Sequence, residues 1–462
     1  MSDANHPDAS SASQQKPDLL SESVPRGLLR LAWQSVPAHT LWEACEIIEV
    51  ICLAHLGGVA LAGFGYALPI MLFFWGVAGP LFRTAAQHVV ARANAEDAKR
   101  YFVHAIFLNA FTATIIGLLW YAFREPIFRL VGADGEVLQL ILDFVTIYAL
   151  QYPMLVVSTV GPMLLADRGL VKPIAPHVVV ASLIVMAGYP VFILGLGPFP
   201  EFSLAGVAIA VGVGRVYMLA TFIWVSHKVG LWGRPKGGWF ARIRDSWTDI
   251  FHEMGYHHIV ESLFLGATLV IVVRLISEFG TKAVAAFAVG NRVGVMATVL
   301  SMSAAIGLAP MMTQAWQAGL GGRVRELLKF GEIIAVGAAV VGFLFVVPVS
   351  LWAVDWVIPE AGPELRTMLW VVIVMFPAIW CSYVLAEPGL QVLKVLRNRK
   401  AETGVSVLAV VAVATFGVLG VWLLGTFTGL LTAWLAAIVL YALVTSIVAR
   451  RTLAARLAEK PE

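Results

Sequence analysis

About twelve apolar stretches, each near the roughly 20 residues a helix needs to cross a bilayer, follow one another between residues 31 and 449. No other feature restricts the fold so severely. In hydrocarbon no water is present to satisfy backbone N–H and C=O groups, so long apolar segments of this kind are expected as helices bonded within themselves. The candidate spans are 31–56 and then roughly 60–86, 102–122, 136–162, 174–197, 203–227, 253–278, 283–311, 331–352, 364–390, 403–424 and 429–449. Only 13% of the residues are charged and mean hydropathy is +0.83. Soluble domains run at about 25% charged, so a soluble globule is excluded. The net charge of +3 is too small to suggest nucleic acid as a partner. Cys45, Cys52 and Cys381 all fall inside apolar stretches and read as buried thiols rather than a disulfide framework.

The first span, LAWQSVPAHTLWEACEIIEVICLAHL, breaks the apolar rule with Glu43, Glu46 and Glu49. Steps of three residues place the three carboxylates within roughly 120° on one helix face. A charge at mid-membrane costs a few kcal/mol or more, so such residues normally face a bundle interior or a water-filled cavity. Two readings compete: a structural stripe paired with buried cations such as Arg215 or Arg292, or an ion-coupling site centred on Glu49 and Glu46. Three carboxylates in two turns exceed what pairing requires, which favours the second. Glu43, nearest the amino end, is expected to be the most solvated of the three. On the span at 253–278, His257 and Glu261 lie at i, i+4 with Glu253 on the same face, a pattern that could bind a divalent metal. No cysteine or second ligand cluster accompanies it, so no metal is expected. His252 and His258 read as interfacial polar groups, and Asp143 and Arg274 as buried ion-pair partners.

Lys and Arg gather in alternate connecting segments, for example Lys99–Arg100, Arg234–Lys236, Arg323–Arg325, Arg397–Lys400 and Arg450–Arg451, with only Arg124, Arg129, Lys282 and Arg366 on the opposite side. The positive-inside rule then predicts both termini in the cytoplasm. Residues 228–250, KVGLWGRPKGGWFARIRDSWTDI, divide the chain nearly in half and read as a cytosolic linker with a short interfacial helix carrying Trp239, Phe240 and Trp247. The halves resemble each other: HLGGVALAGFGYA (55–67) aligns with EFGTKAVAAFAVG (278–290). The expected organisation is a disordered cytosolic tail (1–28), an amino-terminal lobe of six helices (29–228), the linker (229–251), a carboxy-terminal lobe of six helices (252–450) and a cytosolic tail (451–462). With six helices in each lobe the repeats share one topology about an axis along the membrane normal.

Five pieces of the chain together resemble the MATE (multidrug and toxic compound extrusion) family. EVICLAHLGGVALAGFG (49–65) is similar to the family's acidic–x7–Gly–x4–Ala end of helix 1. ARANAEDAKR (91–100) and GLAPMMTQAWQAGLGGRVREL (307–327) are similar to its two copies of a cytosolic loop. FILGLGPFPEFSLAGVAIAVGVGR (192–215) resembles its hairpin between helices 5 and 6, and VESLFLGATLVIVVRLISEFGTKAVAAFAVG (260–290) its helix 7 and the entry to helix 8. The resemblance implies an all-α integral membrane protein of about twelve helices in two pseudo-symmetric lobes. It departs from the family in carrying Glu49 where an aspartate is common and Val185 and Tyr189 where an Asn–x3–Asp pair is usual. Ala288 stands where a Gln is common, followed by Asn291 and Arg292, and Tyr383, with Glu387 one turn on, where some members have an aspartate. This identifies a divergent member.

The implied activity is secondary efflux by alternating access, exchanging organic, cationic or amphipathic compounds for H+ or Na+. Glu49, Glu46 and Glu261 are the expected ion-coupling residues, and Glu43, His257, Tyr189, Asn291, Arg292, Tyr383 and Glu387 are expected near the substrate cleft. A lipid-linked-saccharide or lipid flippase is the alternative, with an intramembrane enzyme using Glu46, Glu49 and His55 more remote. No GxSxG, HExxH, Gly-rich phosphate loop or CxxC supports an enzyme. The expected setting is a bacterial inner membrane, with lipid and small organic substrates as partners, no nucleic acid, no cofactor and a monomeric state.

Overall fold

The computed structural model describes residues 22–92, 95–167, 172–358 and 361–459, with the side chains of 34, 35, 38, 76–92, 95, 96, 166, 167, 253–262, 264, 265 and 306 left aside. The expected disordered tail lies outside these residues as far as position 21. Fifteen helices account for the described fold, and no strand occurs among the described residues. In order they are α1 (Val24–His55), α2 (Gly58–Arg92), α3 (Ala95–Leu130), α4 (Gly135–Leu150), α5 (Tyr152–Asp167), α6 (Ala175–Ile193), α7 (Leu204–Lys228), α8 (Ile243–Ser277), α9 (Thr281–Ala297), α10 (Val299–Gln317), α11 (Gly321–Val357), α12 (Pro363–Val384), α13 (Glu387–Val395), α14 (Arg399–Leu424) and α15 (Phe427–Glu459).

Fifteen helices make twelve passes, because three of the spans expected to be continuous are broken. α4 and α5 meet at Gln151 with a bend of 53°, and α9 and α10 meet at Thr298 with a bend of 51°. The Gln151 side-chain amide donates to the Ala208 carbonyl of α7 at 2.9 Å, which ties the first break to α7. A third interruption at Leu385 and Ala386 separates α12 from α13. Eight described helices are individually long and apolar enough to cross a bilayer, and the two bent pairs raise this to ten. α1, which carries three glutamates, and α8, whose stretch 260–277 is strongly apolar, complete the twelve.

The outer faces carry the side chains expected of lipid contact. α11 exposes Val340, Val341, Leu344 and Phe345, followed by Trp352 and Trp356 near its carboxy end, and α14 ends with exposed Trp422. Indoles at helix ends suit the membrane–water boundary, where an apolar ring and a polar N–H are both accommodated.

The internal repeat is visible in backbone geometry. α2 and α9 start at Gly58 and Thr281, and α7 and α15 at Leu204 and Phe427, each pair separated by 223 residues. At the same spacing Gly57 and Gly280 precede α2 and α9 with φ of 97° and 89°, a left-handed turn that glycine adopts without steric cost. The two copies use the same device to reverse the chain between consecutive spans.

The halves meet along α2, which packs on α8 and α9, while α1 lies between α6 of its own half and α10 and α9 of the other. Small residues permit this closeness. A side chain at Gly65 would strike the Val284 carbonyl of α9, and a Cβ on Gly266 of α8 would come within 2.6 Å of the Phe73 backbone of α2.

Four expectations need correction at this level. Residues 24–28 belong to helix α1 rather than to a tail, because Val24 and Leu28 are both 1% exposed and pack with Leu308, Met311 and Met312. Residues 451–459 likewise continue α15. The 228–250 segment forms no separate interfacial helix. Instead Trp239 and Phe240 lie in turns, Trp247 is in α8, and all three lean on α3 through Phe107 and Phe111. Asp143 and Arg274 are exposed rather than buried, Arg274 pairing with Glu278 at the end of its own helix.

Candidate functional site: a carboxylate–guanidinium ladder between the halves

The acidic face of α1 points into the seam between the two halves. Helix periodicity brings Glu43, Glu46 and Glu49 onto one face, and packing against α9 places Arg292 opposite them. The Arg292 guanidinium is shared: one nitrogen donates to Glu49 Oε2 at 2.9 Å and another to Glu46 Oε2. The pair is deeply enclosed, with the Glu49 side chain 4% and the Arg292 side chain 10% exposed. The ring of Phe64, on α2, lies 5.2 Å from the guanidinium carbon and covers its flat face. Arg292 therefore ties α1 of one half to α9 of the other.

The ladder continues through α1. The Trp42 indole donates to Glu46 Oε1 at 2.8 Å, and the Arg215 guanidinium of α7 lies 5.8 Å from the same indole ring. Arg215 in turn donates to the Thr159 hydroxyl of α5 at 3.0 Å. A string of polar groups thus runs from α9 through α1 to α7 and α5. Tyr189 of α6 is 4% exposed and within electrostatic range of Glu49, Glu46 and Arg292.

Glu43 departs from expectation. It is buried rather than solvated, and its Oε2 has no hydrogen-bond partner among the described residues. The turn of helix that carries it is covered where α1 runs between the halves, so its position toward the amino end does not bring it to water. Three carboxyls thus face one guanidinium, an excess of negative charge that is costly in a low-dielectric bundle unless a proton or small cation joins it.

The remaining candidates form a second group. Asn291, next to Arg292 on α9 and 2% exposed, accepts from the Trp380 indole at 3.2 Å. Trp380 meets Tyr383 edge to face at 5.7 Å, and Tyr383 stacks on Tyr441 at 5.9 Å. Glu387 is half-buried at the start of α13 and bonded by Gln391 at 3.4 Å. His257 and Glu261 belong to α8, but their side chains lie outside those described, as do those of Glu253 and His258. His55 is exposed at the end of α1 and bonded to the Ile51 carbonyl, which removes it from the site. Trp42, Phe64 and Thr159 were not anticipated. Only Trp42 left a trace in the sequence, four residues before Glu46 on the same face.

Residues 40–191 match the MatE family model, a segment that begins just before the acidic face and ends just after Tyr189. Over that third of its length the chain is similar to the MATE family. Among curated proteins it is similar to an FAD transporter of Shewanella oneidensis, 24% identical over 317 residues covering 67% of this chain and 69% of that one. Its fold matches an inward-facing MATE family transporter of the MOP superfamily with a TM-score of 0.76 at 16% identity, over 95% of this chain and 100% of the other. A second match is a MOP superfamily transporter from Pyrococcus furiosus, described as having a binding pocket of reverse polarity, with a TM-score of 0.73 at 17% identity over 95% and 97% of the two chains. The chain thus shares the fold of MATE transporters and is a multi-pass membrane protein.

Proposed function

We propose that this protein is a MATE-type transporter, an antiporter that moves amphipathic organic compounds with an aromatic body out of the cell, coupled to inward movement of protons, with sodium as the other candidate ion. The single observation that carries the reading is the Arg292 bridge: two carboxylates of one half hold one guanidinium of the other, beside a third buried carboxyl. Protonation of Glu49 or Glu46 removes half of the guanidinium's counter-charge and loosens the link between α1 and α9. A proton arriving from one side would thereby change the energy of parting the halves, which is what coupled alternating access requires. The basic connecting segments support an orientation with both termini in the cytoplasm of a bacterial inner membrane.

The substrate expectation shifts in one respect. Glu46 and Glu49 are already engaged by Arg292, which weakens the basis for a preference for cations. Amphipathic character is kept, and an aromatic body is added to it on the support of Trp42 beside the ladder and of a relative named an FAD transporter.

Transport should be assayed in proteoliposomes under an imposed pH gradient or sodium gradient, separately, with FAD and ethidium as probes. The expected result is uptake or release driven by the pH gradient in wild type and lost in Glu49→Gln, which still inserts because an amide is cheaper to bury than a carboxylate. Glu49→Asp, which withdraws the charge by one methylene, should keep partial activity. Glu49→Gln transporting at the wild-type rate would assign the carboxylate a structural role.

A further inference from the structure

Arg215 is the one intramembrane cation of the site that the acids do not explain. It projects from α7 in the amino-terminal half, and among the described residues it has no carboxylate partner. Its contacts are the Thr159 hydroxyl at 3.0 Å and the Trp42 ring at 5.8 Å, with Tyr148 and Tyr189 in electrostatic range. All of these are neutral. Glu46, the nearest acid along the ladder, is separated from it by the Trp42 indole and committed to Arg292. A guanidinium held within a membrane bundle by neutral groups alone is expensive, and intramembrane Arg otherwise pairs with an opposite charge or faces a pathway for one. The surroundings are not sealed: Trp42 is 49% exposed and Arg215 keeps intermediate exposure. Fixed donors with free N–H groups, next to an accessible aromatic face, form a site for an aromatic ring bearing an oxyanion.

We infer that Arg215, Thr159 and Trp42 form an oxyanion subsite of the substrate cleft, which takes the phosphate or carboxylate of an aromatic substrate while Trp42 receives its ring. The assignment rests on the transport reading above in that the cleft is taken as the substrate path. Its chemistry is separate from coupling, because it uses the neutral side of the ladder and not the Arg292 bridge. Arg215 donates through two or more N–H groups to the oxyanion and Thr159 holds the guanidinium in place from the other side. The acid cluster one indole away then repels the same anion. Substrate at Arg215 and a full complement of negative charge on Glu43, Glu46 and Glu49 therefore disfavour each other, so proton uptake by the acids raises affinity for the anion.

The test is equilibrium binding to purified full-length protein in nanodiscs, without any gradient, using three probes that share one ring: 1-naphthyl phosphate, 1-naphthol and 1-naphthylmethylamine. Wild type should bind the phosphate at least about tenfold more tightly than the alcohol, the scale of one charge-assisted bidentate contact, and the amine no better than the alcohol. Arg215→Gln should erase the preference for phosphate while leaving 1-naphthol binding in place, and Arg215→Lys should restore part of it, since an ammonium keeps the charge but not the fork. Lowering the pH across the range in which carboxyls take up protons should strengthen phosphate binding in wild type. Equal affinity of wild type for all three probes overturns the subsite whatever the variants do, as does an unchanged preference in Arg215→Gln. Dihexanoyl phosphatidate serves as the lipid arm: if it displaces 1-naphthyl phosphate and binds more tightly, the occupant is a lipid phosphate and the aromatic half of the assignment falls. Because no gradient is applied, failure here leaves proton coupling untouched, and failure of proton-driven transport leaves the binding series readable.

Discussion

At the scale of single residues, the site is a matter of counting charges. Arg292 neutralises one of two carboxylates and shares itself between both. Removing it leaves buried carboxylates without a counter-charge, so Arg292→Gln should destabilise the folded protein by about 3–5 kcal/mol. A melting measurement in detergent reads this directly. The double variant Glu49→Gln with Arg292→Gln should recover part of the loss, because the more deeply buried of the two orphaned carboxylates is neutralised with its partner while Glu46 stays charged. Additive losses in the pair would mean that the bridge contributes nothing as a pair and that each residue is held by something else. The sequence named the three glutamates and both arginines, yet it left open which arginine would meet the acids. That choice was not legible because Arg215 and Arg292 are both isolated cations on apolar helices, and nothing local ranks them.

At the scale of helices, small residues decide how near the halves come. Gly65 lies against the Val284 carbonyl, so any side chain at that position pushes α2 away from α9. Gly65→Leu should lower the melting temperature and abolish gradient-driven transport, with a stability loss of about 1–3 kcal/mol as for other overpacked contacts. Gly404 in α14 is the contrasting case: nothing lies within 4 Å of where its Cβ would be. Gly404→Ala should be neutral or stabilising by about 0.5–1 kcal/mol, since it only removes backbone freedom from a helix interior. Similar melting temperatures for both variants would show that the α2–α9 approach is not tight in solution. Small-residue starts of helices were evident from composition, but the partner carbonyl was not, because it depends on how two helices cross.

At the scale of the molecule, the repeat builds the scaffold and the site departs from it. α2 and α9 begin 223 residues apart, each after a glycine with positive φ. At that spacing the counterparts of Glu46 and Glu49 are Leu269 and Val272, and the counterpart of Arg292 is Pro69. Two lobes of like architecture thus contribute unlike chemistry, acids from one and the bridging cation from the other. The proposed orientation predicts that single cysteines at Arg397 or Arg234 are labelled from the cytoplasmic side and a cysteine at Arg366 from the opposite side. The three native thiols are buried, which keeps the background low. Labelling of position 234 from outside would overturn the twelve-pass arrangement with both ends inside.

What the sequence determined by itself is whatever hydropathy and short-range periodicity encode: an all-helical membrane bundle, the glycine-led repeat and the acidic face of α1. Each depends on residues within one or two helical turns, or on a spacing that recurs. The tertiary structure decided the rest. It broke the spans at Gln151 and Thr298, folded Trp239 and Phe240 back against α3, exposed Asp143 and buried Glu43. It also chose Arg292 for the acids and left Arg215 among neutral groups. These outcomes rest on which faces of distant helices meet and at what angle. A polar group's fate in a bilayer follows from its neighbours across the seam, and those are chosen by packing over the whole bundle rather than by adjacent residues in the chain.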